Sequence, residues 1–172
     1  MSHGVFEAFL AQQYVDGMRL AESSDLLFLT PVSGSPPDRY VADFRCIGLV
    51  KDDTGVHRAD RFLVQIAFPE TYMDEVDPAS VLTLLAPGNV HHPNINGPWI
   101  CPGHLHPGTP LVDVLWQIFE IITFHRVTTD EFNALNPEAC AWARDHKDLL
   151  PLDPRPLRRR AAGAPPPTEI SS

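Results

Sequence analysis

The chain has 172 residues, 44% of them hydrophobic, which is enough for one domain with a sizeable core. A formal net charge of -9 disfavours nucleic acid as the main partner, because phosphate binding needs clustered cations. No apolar run approaches the roughly eighteen residues that span a membrane, so no membrane association is expected. The N-terminus has no basic segment followed by an apolar run, so no secretory signal is expected either.

In chain order, residues 4 to 22 place Phe6, Phe9, Leu10, Tyr14, Met18 and Ala21 at helical spacing and predict an amphipathic helix. Leu26 to Leu29 reads as a short strand and Pro31 to Asp38 as a turn. Tyr40, Ala42, Phe44 and Cys46 then alternate with polar residues, the period of a half-buried strand, which makes Cys46 a core residue. Lys51 to Gly55 reads as a hairpin turn, Arg61 to Phe68 as a third strand and Ser80 to Leu85 as a fourth. Leu111 to Phe124 is apolar nearly all round, which predicts a buried helix. Asn136 caps a further helix, with Pro137 at its first position and Cys140 on it as a structural residue. The expected class is α+β: an N-terminal helix, a four-stranded antiparallel meander, a long loop, a buried central helix and a C-terminal helix. The expected organisation is one domain over residues 1–150. A flexible tail over residues 151–172 is expected from six prolines and the run Arg158-Arg159-Arg160.

The chemistry concentrates in His91 to Leu111, where four histidines and Cys101 lie among five prolines and three glycines. So many breakers predict a shaped loop without regular structure, with Gly97 and Gly103 admitting close backbone approach beside the thiol. The three cysteines, Cys46, Cys101 and Cys140, are too far apart for a disulfide framework and point to a reducing cytoplasm. Cys101 is the one whose setting suits nucleophilic chemistry, and a buried loop cysteine is the alternative. The clustered histidines also fit a zinc site, with His104 and His106 as the closest pair, or a Cys-His hydrolase. Lysine occurs only at Lys51 and Lys147, against eleven arginines. Codon bias explains that imbalance, and so does an enzyme that handles lysine-reactive acyl groups.

His92-Pro93-Asn94-Ile95, followed by Gly97 and Ile100-Cys101, resembles the His-Pro-Asn motif and active-site cysteine of the ubiquitin-conjugating (E2) enzymes. Phe68-Pro69-x-x-Tyr72 is similar to that family's turn after its third strand, and Leu135-Asn136-Pro137-Glu138-Ala139 to the segment opening its next helix. The resemblance implies the UBC-like fold over residues 1–150 and a thioester acyltransfer on Cys101. Asn94 would stabilise the oxyanion or brace the loop, His92 would lock that loop, and Asp130 would assist the attacking lysine. It also implies an E1-like activating enzyme, a ubiquitin-like protein and a target protein as partners. No cofactor or metal is implied for this chain, ATP being used by the activating enzyme. The chain departs from the common eukaryotic form. The interval from His92 to Cys101 is one residue shorter, Pro102-Gly103 follows the cysteine, and Gly108-Thr109-Pro110 and Met73 to Asp77 replace the usual ligase-facing loops. The N-terminal helix is acidic, with Glu7, Asp16 and Glu22 against Arg19. These departures look more like the bacterial E2-like branch, some of whose systems act in antiphage defence. The alternative within the same fold is a non-catalytic module that binds a ubiquitin-like protein.

Overall fold

The computed structural model describes residues 3–159. Helix α1 (His3–Glu22) is followed by strands β1 (Leu27–Gly34) and β2 (Pro37–Phe44), the hairpin β3 (Gly48–Asp52) and β4 (Gly55–Ala59), and β5 (Phe62–Ala67). A single helical turn, α2 (Pro78–Val81), leads into β6 (Leu82–Ala86). Two short strands, β7 (Ile95–Asn96) and β8 (Trp99–Ile100), precede the helices α3 (Leu111–Ile122) and α4 (Pro137–Asp145). The class is mixed α+β, with four antiparallel strands in the order β1-β2-β5-β6. No helix among the described residues is long and apolar enough to cross a membrane.

The period-two pattern of β2 sets one face of the sheet. Tyr40, Ala42, Phe44 and Cys46 are fully buried, and Phe62, Val64 and Ile66 of β5 lie with them. Against this face pack α3, whose Leu111, Leu115, Ile118 and Ile121 are fully buried, and α1. The turn at residues 51–55 belongs not to the meander but to the separate β3–β4 hairpin, inserted between β2 and β5. Its first strand meets the chain entering the long loop: Lys51 N–H donates to the Asn89 carbonyl at 2.9 Å and His91 N–H to the Leu49 carbonyl at 2.9 Å. A second small core of Leu49, Phe124 and Ala143 lies under this hairpin and α4.

Four expectations need correction. The buried face of α1 is Phe6, Leu10, Gln13, Gly17 and Leu20, rotated from the apolar set, while Tyr14 is exposed. The rotation follows from two contacts with the central helix. Gln13 Oε1 accepts from Leu111 N–H at 2.8 Å, satisfying a helix-start donor that otherwise has no partner. Gly17 lies so close to α3 that a Cβ there would stand 2.7 Å from a Leu111 methyl. β1 and β2 run further into the expected Pro31–Asp38 turn, to Gly34 and from Pro37. Ser80 and Val81 belong to α2, which Asp77 caps by accepting from Ala79 N–H at 3.1 Å.

The fourth concerns the tail. Its first nine residues, 151–159, pack on the body, where Asp153 and Leu157 are buried. The Asp153 carboxylate accepts from Ile47 N–H at 3.0 Å and is gripped by the Arg155 guanidinium at 2.6 and 3.0 Å. Arg159 N–H donates to the Ser23 carbonyl at 2.8 Å, and its guanidinium reaches Asp25 at 2.9 Å. Composition misses this because one core leucine, Leu157, and a few well-placed polar contacts are enough to order the segment. The rest of the expected tail, including Arg160, lies outside the described residues.

Candidate active site

The loop expected to be irregular contains the β7–β8 hairpin, with Ile95 opposite Ile100 and Asn96 opposite Trp99. Gly97 takes φ 60°, the sign a two-residue hairpin loop needs at its first central position. Gly103 takes φ 83°. A Cβ on either glycine would meet nothing within 4 Å. Their use is backbone conformation, not the close approach expected from the sequence.

Cys101 follows β8 directly and is exposed, whereas Cys46 and Cys140 are buried. Burial pushes the Cys46 thiol up to about 12. Cys140 is also raised, by burial and then by Glu131, and its Sγ donates to the Thr128 carbonyl at 3.3 Å. Neither is suited to form a thiolate near neutral pH, which leaves Cys101 as the accessible sulfur.

Asn94 fixes Cys101 from both sides. Cys101 N–H donates to the Asn94 carbonyl at 2.8 Å, and Asn94 Nδ2 donates to the Cys101 carbonyl at 3.1 Å. The same Nδ2 donates to Thr128 Oγ1 at 2.9 Å, and Asn94 Oδ1 accepts from Thr128 N–H at 2.9 Å. Both protons of the buried amide are therefore engaged, and the side chain joins the Cys101 backbone to the segment leaving α3. Two more bonds seat this loop. Asn136 N–H donates to the Pro93 carbonyl at 3.0 Å, and Asn96 Nδ2 donates to the Leu135 carbonyl at 3.3 Å. The Asn136 side chain caps α4 by accepting from Ala139 N–H at 3.1 Å.

His92 is buried, its ring tilted against Phe124 at 4.2 Å between centroids. Its Nδ1 accepts from Asn94 N–H at 2.9 Å. Burial pushes its pKa down to about 3, opposed by the Arg126 backbone, so the ring is a neutral acceptor at neutral pH. His91 is buried edge-on to Trp142 and is likewise held low by burial, then by Lys51. Lys51 in turn pairs with Glu138. His104 and His106 are exposed, with parallel rings 6.3 Å apart. Among the described residues, no three His, Cys, Asp or Glu side chains are grouped so as to hold a metal ion. Asp130 is exposed and spends its carboxylate on its own turn, accepting from Phe132 N–H at 3.0 Å and Asn133 Nδ2 at 2.6 Å.

The structure thus joins Cys101, Asn94 and His92 in one bonded unit and leaves Asp130 in a turn two residues beyond Thr128. The residue missed from sequence is Thr128, which sits in a polar connection with nothing to mark it. The turn at Phe68-Pro69-x-x-Tyr72 supports the far side of the loop. Tyr72 Oη donates to the Thr109 carbonyl at 2.7 Å, and the Tyr72 carbonyl accepts from Gly108 N–H at 3.1 Å. Neither a scan against protein-family models nor a search of curated proteins matches this chain.

Proposed function

We propose that this chain is an E2-like conjugating enzyme that carries a ubiquitin-like protein as a thioester on Cys101. One observation carries the reading: Cys101 is the single exposed cysteine, and both of its backbone groups are held in place by Asn94 of the His-Pro-Asn segment. The element order supports a UBC-like arrangement: α1, four-strand meander, motif, cysteine, buried α3 and Asn136-capped α4.

In the first step the Cys101 thiolate attacks the carbonyl carbon of a thioester on an E1-like activating enzyme. A new C–S bond forms, the old one breaks, and the activating enzyme's thiolate leaves. In the second step a target lysine amine attacks the same carbon. The C–N bond forms, the amine gives up a proton, and the Cys101 thiolate leaves. An exposed sulfur suits both steps, because two other proteins must reach it in turn. A braced loop suits them because acyl transfer is sensitive to the placement of the reacting atoms. Asn94 serves as the brace, since its amide protons are already engaged. His92 is a neutral lock, and Asp130, on the segment that Thr128 ties to Asn94, is the carboxylate that assists the attacking lysine. The cellular setting proposed is a bacterial cytoplasm, with antiphage defence as the pathway class.

The test is incubation with the cognate activating enzyme, ATP and its ubiquitin-like protein. A thiol-sensitive adduct that disappears in Cys101→Ala is the expected result. An adduct that survives the substitution places the nucleophile elsewhere and overturns the assignment.

A further inference from the structure

A cavity of about 460 Å³ lies behind the Thr128 contact, between the segment leaving α3, one face of α4 and the chain after it. Its volume is within the range of small-molecule sites. The walls are Val127, Ala143, Leu150 and Leu152, with the Cys140 thiol at one side. That thiol is occupied by its bond to the Thr128 carbonyl, so the interior offers apolar surface and little else. Leu152 stays half-exposed at this wall, on a backbone with φ 40° that leucine rarely adopts.

The edge is cationic. Arg144 and Lys147 both line the cavity. Glu131 holds Arg144 at 2.5 Å and Asp145 stands 3.8 Å from its Nε, so Arg144 is already balanced. Lys147 is exposed and has no ion-pair partner among the described residues, so its ammonium is open to a ligand from the cavity side. An apolar chamber with a free ammonium at its edge matches a ligand with an apolar body and one negative head. We propose that this cavity binds a small amphipathic anion, a medium-chain carboxylate being the simplest member of the class. The chain lies against Val127, Ala143, Leu150 and Leu152, and the carboxylate meets Lys147. The site is independent of the acyl-transfer reading and stands or falls separately from it.

The test is an NMR titration of the full-length chain with sodium octanoate, and with 1-octanol as a neutral counterpart of equal length. Saturable shifts at the amides of Val127, Thr128, Ala143 and Leu150 are expected, with octanoate binding more tightly than octanol. Lys147→Glu is a surface change; it should weaken octanoate about threefold or more, as an exposed charge pair would, and leave octanol unaffected. Ala143→Leu fills the chamber and should weaken both probes about tenfold or more, with circular dichroism checking that the variant is folded. Should that variant not fold, the shift map and Lys147→Glu decide. Shifts that fail to saturate or map elsewhere would overturn the proposal. Octanol binding as tightly as octanoate, or octanoate binding untouched by Lys147→Glu, would do the same.

Discussion

Asn94 holds Cys101 by both of its backbone groups, accepting from its N–H at 2.8 Å and donating to its carbonyl at 3.1 Å. The two residues are seven positions apart, at opposite ends of a hairpin, so the side chain closes the hairpin's open end. Its remaining bonds go to Thr128. Asn94→Ala strips a partner from the Cys101 carbonyl and from Thr128 N–H. Each unsatisfied group costs about 1–3 kcal/mol, so a loss of about 2–6 kcal/mol is expected in urea unfolding. Thr128→Val removes only the hydroxyl acceptor and should cost about 1 kcal/mol.

The same pair of variants separates two roles for Asn94 within the proposed reaction. If it braces the loop, Thr128→Val slows discharge to lysine in the same sense as Asn94→Ala. If its amide met the oxyanion directly, Thr128→Val would discharge at the normal rate. The structure favours the first outcome, since no amide proton is spare. Single-turnover discharge from the preloaded thioester is the measurement.

Thiol labelling tests the exposure pattern without any partner protein. A small alkylating reagent at neutral pH should add to one cysteine of the native chain, and Cys101→Ser should abolish that addition. Cys46 should react only after denaturation and Cys140 far more slowly than Cys101, since burial raises both thiols and the Cys140 Sγ is bonded to the Thr128 carbonyl. Intact mass spectrometry counts the additions, and fast double labelling of the native protein would contradict the fold around Cys140.

His92 makes stability fall with acid. Its folded pKa of about 3 lies below the unfolded value of 6.5, so the unfolded chain binds the proton first. The contribution is intact above 6.5 and is lost as pH drops towards 3. Over that window a single such group gives a slope of about 1.4 kcal/mol per pH unit. His91 shifts in the same direction and adds to it. Urea midpoints at pH 7 and pH 5 should differ accordingly. His92→Asn, which keeps an acceptor for Asn94 N–H, should flatten the difference.

Gly17 tests the helix crossing. Gly17→Leu would improve helix propensity by roughly 0.8 kcal/mol, yet it drives a branched side chain into Leu111 and Leu29. Overpacking of this kind costs about 1–3 kcal/mol, so a net loss is expected in thermal melts. Cys101 labelling should be unchanged, because the crossing lies at the start of α3 rather than at the hairpin.

Some of this was legible in advance and some was not, for physical reasons. Tyr40, Ala42, Phe44 and Cys46 announce a half-buried strand because a pleated backbone turns every second side chain inward. The all-round apolar α3 announces a buried helix, and Asn136-Pro137 announces a helix start. Gln13 and Gly17 did not announce themselves. Their burial serves a partner nearly a hundred residues away, while local periodicity weighs only hydrophobicity. Thr128 was invisible for the same reason, since its value lies in what it bonds to. At the site, residue types picked out Cys101, and the family resemblance added Asn94, His92 and Asp130. Only the geometry shows that the histidine is a buried acceptor and that the asparagine amide is already engaged.

The clasp over residues 151–159 has a practical consequence for anyone who trims the gene. A stop codon placed at the first proline of that stretch would delete Asp153 and Leu157, opening the floor beneath Cys46 and leaving Ile47 N–H without its acceptor. A gene product that runs through Leu157 keeps the residues of this floor, and one that runs through Arg159 also keeps the bond to Ser23 that ties the belt to the end of the first helix.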